Sequence, residues 1–428
     1  MQLITACGSD SSSSSVTDLV CDGDINIVGD SSTFKGEACT ELNGNLTITD
    51  SQLEILEGLS QLKIIRGDLR VCGNDLLIDS DLPSLESIEG NLTICWNEVL
   101  PILNFEKLQS VTGNIDIHYN KQLEQINFQV LQNIQGGINI ENIKELNTLY
   151  IAELESIGGN LHFQNLDHIE NLGLTKLKSV TQNITVTSND RLVNLVGMEN
   201  LSVINGDLEI SHNQRLKNLS GLEYITEIKG IIKIQNNNML TTISHFDSLE
   251  KVSGSIEVSL CNALLEFKVN NLHEVSQDIK FVGNWLMTDF EMDGLTKVGG
   301  YIDFSNNDDL TEMSFERLTT IEGYFRINDN DALQRFDMEM LEIIGDDMVF
   351  WNNDALHRLE FNNLVSVNGG FRITKNDGIT ELGFDSLSTI GDFFLIDDNN
   401  LLSNSEAEDL RDRIGIENIG GEITINNF

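Results

Sequence analysis

Four stretches of the chain share one pattern: GNLTICWN (residues 90–97), GDLEISHN (206–213), GYFRINDN (323–330) and GGFRITKN (369–376). Each begins with glycine, alternates apolar and polar residues, and ends on asparagine, so that the common unit reads (I/V)-x-G-x-L-x-I-x-x-N. When the last apolar residue of each strand serves as a marker, every step from Ile48 to Ile396 is 23 or 24 residues. A fixed period of this length is typical of a solenoid, in which each repeat forms one turn.

Each part of the unit has a physical role. The alternation predicts a short strand with two side chains directed into the core. The glycine is predicted to supply a backbone angle that other residues resist. The asparagine is predicted to satisfy buried turn groups and to form a ladder from turn to turn. Ile143, Leu166 and Cys261 replace it at three turns, so Cys261 is predicted to be a core residue rather than a nucleophile.

The pattern continues from the first repeat almost to the end of the chain. It predicts an all-β protein, a right-handed parallel β-solenoid of about 18 coils that occupies residues 20–428, with residues 20–51 as its N-terminal cap. SNSEAEDLRDRIG (403–415) interrupts the pattern. Ser403 followed by Glu406 forms a capping box, which predicts a short capping helix at about residues 404–414.

Six cysteines are present. Cys21 and Cys39 flank the first repeat and are placed to close a small loop through a disulfide. Cys72 and Cys95 hold equivalent places one repeat apart, so they are expected to stack as either a disulfide or a pair of thiols. No CxxC motif or Cys/His pair has metal-site spacing, and neither a metal nor another cofactor is predicted. Paired cysteines favour an oxidising, exported location.

The first fifteen residues, MQLITACGSDSSSSS, resemble the end of a bacterial lipoprotein signal. Residues 3–7 are similar to a lipobox, whose cysteine, here Cys7, carries the lipid. Residues 8–19 are rich in serine and predict a flexible tether. Six residues before Cys7 are fewer than a complete signal needs, so residues 1–7 are interpreted as a signal remnant, with an accidental Ala-Cys pair as the alternative. Lipidation would make the protein an exported lipoprotein of the cell surface or outer membrane.

The charge is extreme, with 68 acidic and 26 basic residues and a net charge of −42. Such a surface repels polyanions, so nucleic acid is not an expected partner. No run of about 18 apolar residues occurs, so membrane contact is predicted through the lipid anchor only. The acidic turns 306–312 and 397–400 lack the arrangement of an EF-hand, and calcium binding by them stays open.

The repeat unit, the cysteine-framed first turn (VCDGDINI to EACTELNGNLTI) and the late SEAEDLRDRI segment together resemble the receptor L-domain family. That family includes the ligand-binding lobes of insulin- and EGF-receptor ectodomains, fungal cell-wall proteins and bacterial surface proteins. The resemblance covers about residues 20–428 and implies a leucine-rich-repeat-like solenoid in an extracellular setting, with ligand binding as a weaker implication. Receptor L domains are short solenoids separated by cysteine-rich modules, whereas this array runs uninterrupted.

The residue before each marker is expected to project from the outer side of the main sheet. From Glu209 to Arg326 these residues alternate in charge, which predicts cross-strand pairs of about 0.2–1 kcal/mol each. Further along, aromatic and aliphatic residues join arginine, as is typical of binding surfaces, although β-propensity alone also favours aromatics in strands. The predicted ligand-binding residues are Tyr301, Tyr324, Arg326, Val349, Trp351, Arg372, Phe393 and Leu395.

These features predict a non-catalytic, cell-surface binding or adhesion protein that presents a rigid solenoid face to an extracellular protein or glycan. No catalytic residue is predicted. One alternative is a polysaccharide-active β-helical enzyme that uses Lys280, Asp303 and Arg326. The other is a structural spacer in the cell envelope with no specific ligand.

Overall fold

The computed structural model describes residues 19–29 and 39–427. The predicted lipidation site at Cys7, the signal remnant and residues 8–18 of the predicted tether lie outside them. The described chain winds into a parallel β-solenoid of about 16 turns with one short C-terminal helix, which confirms the fold class. The 18 markers each correspond to one main-sheet strand, and a turn is the interval between two successive strands. The last of these intervals holds a helix instead of a regular turn, so the number of turns is smaller than the 18 expected.

The main sheet consists of one strand from each turn. Each strand pairs in parallel and in register with the strand of the preceding turn and with that of the next, as Leu92 does with Leu69 and Ile115. In the described residues its strands are Ile25–Gly29, Leu46–Ser51, Leu69–Cys72, Leu92–Cys95, Ile115–His118, Ile138–Glu141, Leu161–Gln164, Ile184–Thr187, Leu208–Ser211, Ile232–Gln235, Ile256–Ser259, Ile279–Val282, Ile302–Ser305, Phe325–Asn328, Met348–Trp351, Phe371–Thr374, Phe394–Asp397 and Ile423–Asn426.

Two further sides complete each turn. A second parallel sheet precedes the main-sheet strands and is built mostly from two-residue strands: Val20–Asp22, Glu41–Asn43, Ile64–Ile65, Ser87–Ile88, Ser110–Val111, Asn133–Ile134, Ser156–Ile157, Ser179–Val180, Val203–Ile204, Glu227–Ile228, Lys251–Val252, Glu274–Val275, Lys297–Val298, Thr320–Ile321, Ile343–Ile344, Ser366–Val367 and Thr389–Ile390.

The third side carries three small parallel sheets. Their strands are Ile102–Asn104, Gln125–Asn127 and Thr148–Tyr150; Thr242–Ile243, Glu266–Lys268, Asp289–Glu291, Glu312–Ser314 and Arg335–Asp337; and Arg358–Glu360 and Glu381–Gly383. A 3-10 turn spans Glu57–Leu59 and another spans Ile416–Asn418.

Alternation along the main-sheet strands fills the core and defines the outer face. Leu92 and Ile94 are fully buried, whereas Thr93 between them is partly exposed. In the C-terminal half, phenylalanines replace aliphatic residues and pack on one another, as Phe281 does on Phe304 with 5.0 Å between ring centroids. Such pairs stabilise by about 0.5–1.5 kcal/mol beyond the burial of their area, so they tie each turn to the next.

The glycine that begins each unit permits close packing and does not supply an unusual backbone angle, so that expectation was wrong. A Cβ on Gly113 would lie 2.7 Å from the backbone C and O of Gly90, and a Cβ on Gly90 would lie 2.6 Å from those of Gly67. Neighbouring turns therefore stack backbone on backbone. The left-handed angle lies two residues after the marker, as at Asn142 (φ 56°) and Asn165 (φ 51°), because asparagine tolerates it better than most residues.

The asparagine ladder forms as predicted. Fully buried Asn330 donates from Nδ2 to the Phe304 carbonyl at 3.1 Å, and its Oδ1 accepts from the Asn307 backbone N–H at 3.2 Å. The Asn330 N–H in turn donates to Asn353 Oδ1 at 3.2 Å. Because each amide serves the turn before and the turn after it, the ladder holds buried turn groups that water cannot reach.

Cys261 takes the place of asparagine in this ladder and lies in the core. Its side chain is fully buried, and its backbone N–H donates to Asn284 Oδ1 at 3.1 Å. Burial raises the pKa of the Cys261 thiol to about 11, so the thiol stays protonated near neutral pH. This supports a structural role.

Both ends of the solenoid carry reinforcement. The structure joins Cys21 to Cys39 and Cys72 to Cys95, with Cα–Cα distances of 5.8 and 4.5 Å. Of the two forms expected for the second pair, the structure therefore holds the disulfide.

At the other end, the helix α1 (Asn404–Ile414) begins after Ser403, whose side chain accepts the Glu406 backbone N–H at 3.1 Å. Its buried residues Ala407 and Leu410 cover the last turns. No helix in residues 19–29 and 39–427 is long and apolar enough to cross a membrane.

Candidate binding face

The main-sheet strands from Ile302–Ser305 to Phe394–Asp397 bring the eight predicted binding residues onto one outer surface, here called the C-terminal face. Four of the eight lie opposite one another in successive strands: Arg326, Val349, Arg372 and Leu395. Since adjacent strands lie about 4.8 Å apart, these side chains form one continuous row. Apolar and cationic residues alternate along it.

The beginning of the C-terminal face is an aromatic pair with a cation on one side. Tyr301 and Tyr324 stack with ring centroids 4.4 Å apart and planes 6° from parallel. The Arg326 guanidinium lies 4.6 Å from the centroid of the Tyr324 ring, a distance at which a cation–π contact contributes. Burial, followed by the nearby Asp303 carboxylate, raises the pKa of Tyr324 well above its ordinary value. Burial likewise raises the pKa of Tyr301, so both phenols remain neutral hydrogen-bond donors.

The far end of the face repeats the combination of ring and cation. Arg372 lies 5.7 Å from the centroid of the Phe393 ring. The Phe393 ring covers Gly370, where an added Cβ would lie 2.2 Å from the ring. Lys375, which the sequence analysis missed, lies 5.7 Å from the centroid of the Trp351 ring. The structure therefore pairs each of these rings with a cation.

The predicted rings are half-buried rather than fully exposed, which corrects the expectation of exposed aromatics. Stacking between turns and the overlying cations cover part of each ring. More exposed rings occur near the other end of the main sheet, at Trp96 (51% exposed) and Tyr119 (40% exposed). Sequence reasoning missed both, although each interrupts a column in which asparagine recurs.

The charge alternation on the outer face forms fewer contacts than expected. Within the stretch from Glu209 to Arg326, ion pairs join Lys233 to Glu209 at 3.2 Å and Arg326 to Asp303 at 3.6 Å. Lys280 lies opposite Asp303 in register, but no ion pair within 4.0 Å joins the two in the described chain. A lysine and an aspartate can be opposite in register without forming an ion pair, because the long lysine side chain can extend away from its neighbour.

Asp303, the residue of the enzymatic alternative, is buried and already has partners. Its Oδ1 accepts the Ser305 hydroxyl, and its Oδ2 faces the Arg326 guanidinium at 3.6 Å. Both oxygens are thus engaged by neighbouring side chains. Such an arrangement fixes the position of Arg326 and Tyr324 on the C-terminal face.

A second ladder, not foreseen from the sequence, runs beside the main sheet at the residue after each glycine. Asn114 donates its backbone N–H to Asn91 Oδ1 at 2.8 Å, and Asn91 donates to Asp68 Oδ1 at 2.7 Å. The recurring G-N-L and G-D-L tripeptides were the available signal. At the C-terminal face, Tyr301 and Tyr324 occupy this column, so aromatic rings stand where most turns place a hydrogen-bonding amide or carboxylate.

In the described part of the chain, no group of three or more His, Cys, Asp and Glu side chains could hold a metal ion. The acidic turns named above contribute no such group from their described residues.

Residues 200–284 match the model of the Receptor L domain family. The match covers less than a quarter of the chain. No curated protein sequence matches this chain.

Two solved structures are similar to this chain at low sequence identity. A leucine-rich repeat protein from Bacteroides ovatus is 13% identical, with 96% of this chain and 94% of that chain covered and a TM-score of 0.20. The TLR13–ssRNA13 complex is 14% identical, with 85% of this chain and 68% of that chain covered and a TM-score of 0.19. At such low scores neither likeness bears on what this chain binds.

Proposed function

We propose that this protein is a non-catalytic binding protein that docks an extracellular protein or glycan on the C-terminal face. The observation that carries the proposal is the replacement of the outer ladder by aromatic rings. Tyr301 and Tyr324 stack at 4.4 Å in a column that elsewhere links the turns through Asn and Asp. The solenoid also continues past Gly137, Ile231 and Gly370 in this column, so the feature that marks the C-terminal face is the stacked ring pair with its overlying arginine.

The composition of the face suits binding. Aromatic residues and arginine dominate the energetics of protein interfaces, and the row from Arg326 to Leu395 offers both beside apolar neighbours. The rings are held by stacking and by cations before any ligand arrives, which lowers the entropy cost of binding. The similarity of residues 200–284 to the Receptor L domain agrees with a binding role.

The state of Asp303 favours binding over catalysis. A general acid or base must reach the substrate, whereas the Asp303 carboxylate is buried between Ser305 and Arg326. The strong negative charge of the chain argues against nucleic acid as the ligand. A spacer with no ligand is the remaining alternative.

We further propose an exported, cell-surface location, with the membrane reached through a lipid on Cys7. Two disulfides within the first turns support an oxidising compartment. Mass spectrometry of the protein from its native membrane fraction tests the anchor. An acylated Cys7 peptide supports it, and an unmodified Cys7 peptide contradicts it.

The binding proposal is tested with the full chain against immobilised envelope polysaccharides and surface-protein extracts, measuring both retention and release of reducing ends. Trp351→Ala and Tyr324→Ala are each expected to reduce retention about tenfold, since hot-spot truncations cost roughly 1–2 kcal/mol or more. Tyr224→Ala is the matched control, because Tyr224 is 63% exposed and lies away from the C-terminal face. It is expected to leave retention unchanged.

The outcomes separate the three functions. Retention that depends on Trp351 and Tyr324 without product release supports the binding protein. Release of reducing ends that Asp303→Asn abolishes supports the enzyme instead. Absence of both retention and release of reducing ends would support the structural spacer.

A further inference from the structure

We infer a second ligand site near the other end of the main sheet, and we propose that it binds a neutral or amino-sugar oligosaccharide. The site combines an aromatic platform, formed by Trp96 and Tyr119, with a polar trough on the neighbouring outer face. This site lies on turns separate from the C-terminal face, and the inference does not depend on the binding role proposed for that face.

The platform is an exposed aromatic stack. Trp96 and Tyr119 lie with ring centroids 4.3 Å apart and planes 15° from parallel. His118 supports Tyr119 edge-on, with 5.4 Å between centroids. Trp96 remains 51% exposed and Tyr119 40% exposed. Exposed rings that are stiffened by their neighbours offer a flat apolar surface at low entropy cost, which suits the apolar face of a sugar ring.

The backbone places both rings just outside the strand conformation. Trp96 and Tyr119 have φ angles of 56° and 53°, in the left-handed region that costs a bulky residue about 1–2 kcal/mol. The same position holds Asn142, Asn165 and Asn236 in other turns, but also His212, Leu260 and Lys375, so the left-handed angle belongs to the turn itself. β-propensity cannot explain the rings, because a left-handed residue is not in a strand conformation.

The open side of the platform is shaped for a ring. Gly73 holds the equivalent position one turn before Trp96, so no side chain from that turn covers the indole. Asp50 borders this gap, with its Oδ1 2.6 Å from where a Cβ on Gly73 would lie. A sugar ring on the indole would therefore meet a carboxylate that accepts hydroxyl hydrogen bonds.

The trough lies on the outer face of the strands that end at the platform, and Thr93 in the trough is about 10 Å along the strand from Trp96. It is a cleft of about 390 Å³ lined by Thr47, Arg70 and Thr93 together with carboxylates. In the described chain these three side chains have no hydrogen-bond or ion-pair partner. Two hydroxyls and a guanidinium are thus left to serve a ligand.

The charges of the trough select the ligand class. Asp24, Asp68 and Asp116 line it against the single cation of Arg70, and the whole chain carries −42. Uronates and sulfated glycans would be repelled. Sugar hydroxyls, which both donate and accept, match the mixture of carboxylate, hydroxyl and guanidinium groups, and a protonated amine would gain from the excess of carboxylates.

Two of the strands that carry the site are joined covalently. The Cys72–Cys95 disulfide links strands Leu69–Cys72 and Leu92–Cys95, which carry Arg70 and Thr93 and are followed by Gly73 and Trp96 respectively. The disulfide therefore holds these two turns against each other before a ligand binds, and preorganisation of this kind favours affinity.

The test uses the full chain with Trp285→Phe and Trp351→Phe, which leaves Trp96 as the sole tryptophan of the three. The probes are cellohexaose, laminarihexaose, mannohexaose and chitohexaose, with hexagalacturonate as the anionic comparison. We expect a saturable change in Trp96 fluorescence with at least one of the first four. Titration calorimetry on the otherwise unchanged chain is expected to show about tenfold weaker binding in Tyr119→Ala and in Arg70→Ala, and loss of binding in Trp96→Ala.

Circular dichroism melts of each variant exclude unfolding as the cause, and Tyr224→Ala again serves as the aromatic control. The inference is overturned if none of the four probes gives saturable binding, if hexagalacturonate binds as tightly, or if Trp96→Ala keeps full affinity. Binding lost in Trp351→Ala but kept in Trp96→Ala would support the C-terminal face and refute this site. The reverse pattern would support this site alone.

Discussion

Replacing Asn330 by alanine tests the asparagine ladder where its geometry is most complete. The substitution removes the Oδ1 that accepts the Asn307 N–H at 3.2 Å and the Nδ2 that donates to the Phe304 carbonyl at 3.1 Å. A buried N–H left without a partner costs about 1–3 kcal/mol, and a lost hydrogen bond about 1 kcal/mol more. Asn330→Ala is therefore expected to lower the free energy of unfolding by about 3 kcal/mol.

The measurement is urea unfolding followed by circular dichroism and by tryptophan fluorescence. Because each turn of a solenoid contacts only its neighbours, a defect at Asn330 is expected to separate the transitions of the two halves as well as to lower the midpoint. Asn238→Ala is the matched control, since Asn238 is exposed and bonds two other side chains, donating to Gln214 and accepting from Asn262. A loss for Asn330→Ala as small as that for Asn238→Ala would refute the view that the ladder holds the turns.

The opposite substitution would restore the asparagine ladder at the turn where Cys261 replaces asparagine. Cys261 Sγ lies 4.0 Å from the Ile234 carbonyl, a weak contact where asparagine elsewhere donates a hydrogen bond. Cys261→Asn is expected to raise the free energy of unfolding by about 1 kcal/mol. The same urea experiment measures it, and a destabilised variant would mean that the local core has no space for the amide.

Three further outcomes follow from the structure. Leu260 has a φ of 55°, so Leu260→Asn is expected to stabilise by about 0.5 kcal/mol in urea unfolding; an unchanged or lower midpoint would contradict the assigned strain. Burial, followed by the neighbouring Asp308 carboxylate, raises the pKa of Asp331. The folded protein therefore holds that proton more tightly than the unfolded chain, and stability is lost as pH rises through the raised pKa. Asp331→Asn is expected to increase the melting temperature slightly at pH 7, with a difference that vanishes below about pH 4; a difference that persists at low pH would contradict the electrostatic cause. Replacing Cys72 and Cys95 together by serine is expected to lower the free energy of unfolding by about 3 kcal/mol, for a loop of 23 residues. Thermal unfolding of the variant and of the unchanged chain, with and without reductant, measures the loss. Equal melting temperatures of the variant and the unchanged chain without reductant would contradict a stabilising disulfide.

The periodic features of this molecule were readable from the sequence because they repeat. Alternation over residues 92–94 and the recurring asparagine both act within one turn and its neighbour, so local physics determines them. The helix Asn404–Ile414 was equally local, since its cap lies within four residues. The role of the glycine was misjudged because contact between Gly90 and Gly67 is a property of stacked turns, which a single unit does not contain.

The binding residues were less predictable because they depart from the repeat. The register from Arg326 to Leu395 followed from the period and was correctly anticipated. The burial of the rings was not, since it depends on how Tyr301 and Tyr324 stack and where Lys375 extends. Trp96 and Tyr119 escaped notice because they follow the strand and interrupt a column whose left-handed geometry is visible only in the structure.

The glycine column has a consequence for how far apart two ligands can be held. Because each turn rests directly on the backbone of the one before it, neither a side chain nor an extra residue fits between them at that edge. The distance from the Trp96 platform to the C-terminal face can then change only by whole turns, in steps of about 4.8 Å. Adding or removing one complete 23-residue unit between the two proposed sites would therefore change the distance between them by one turn while leaving both of them intact.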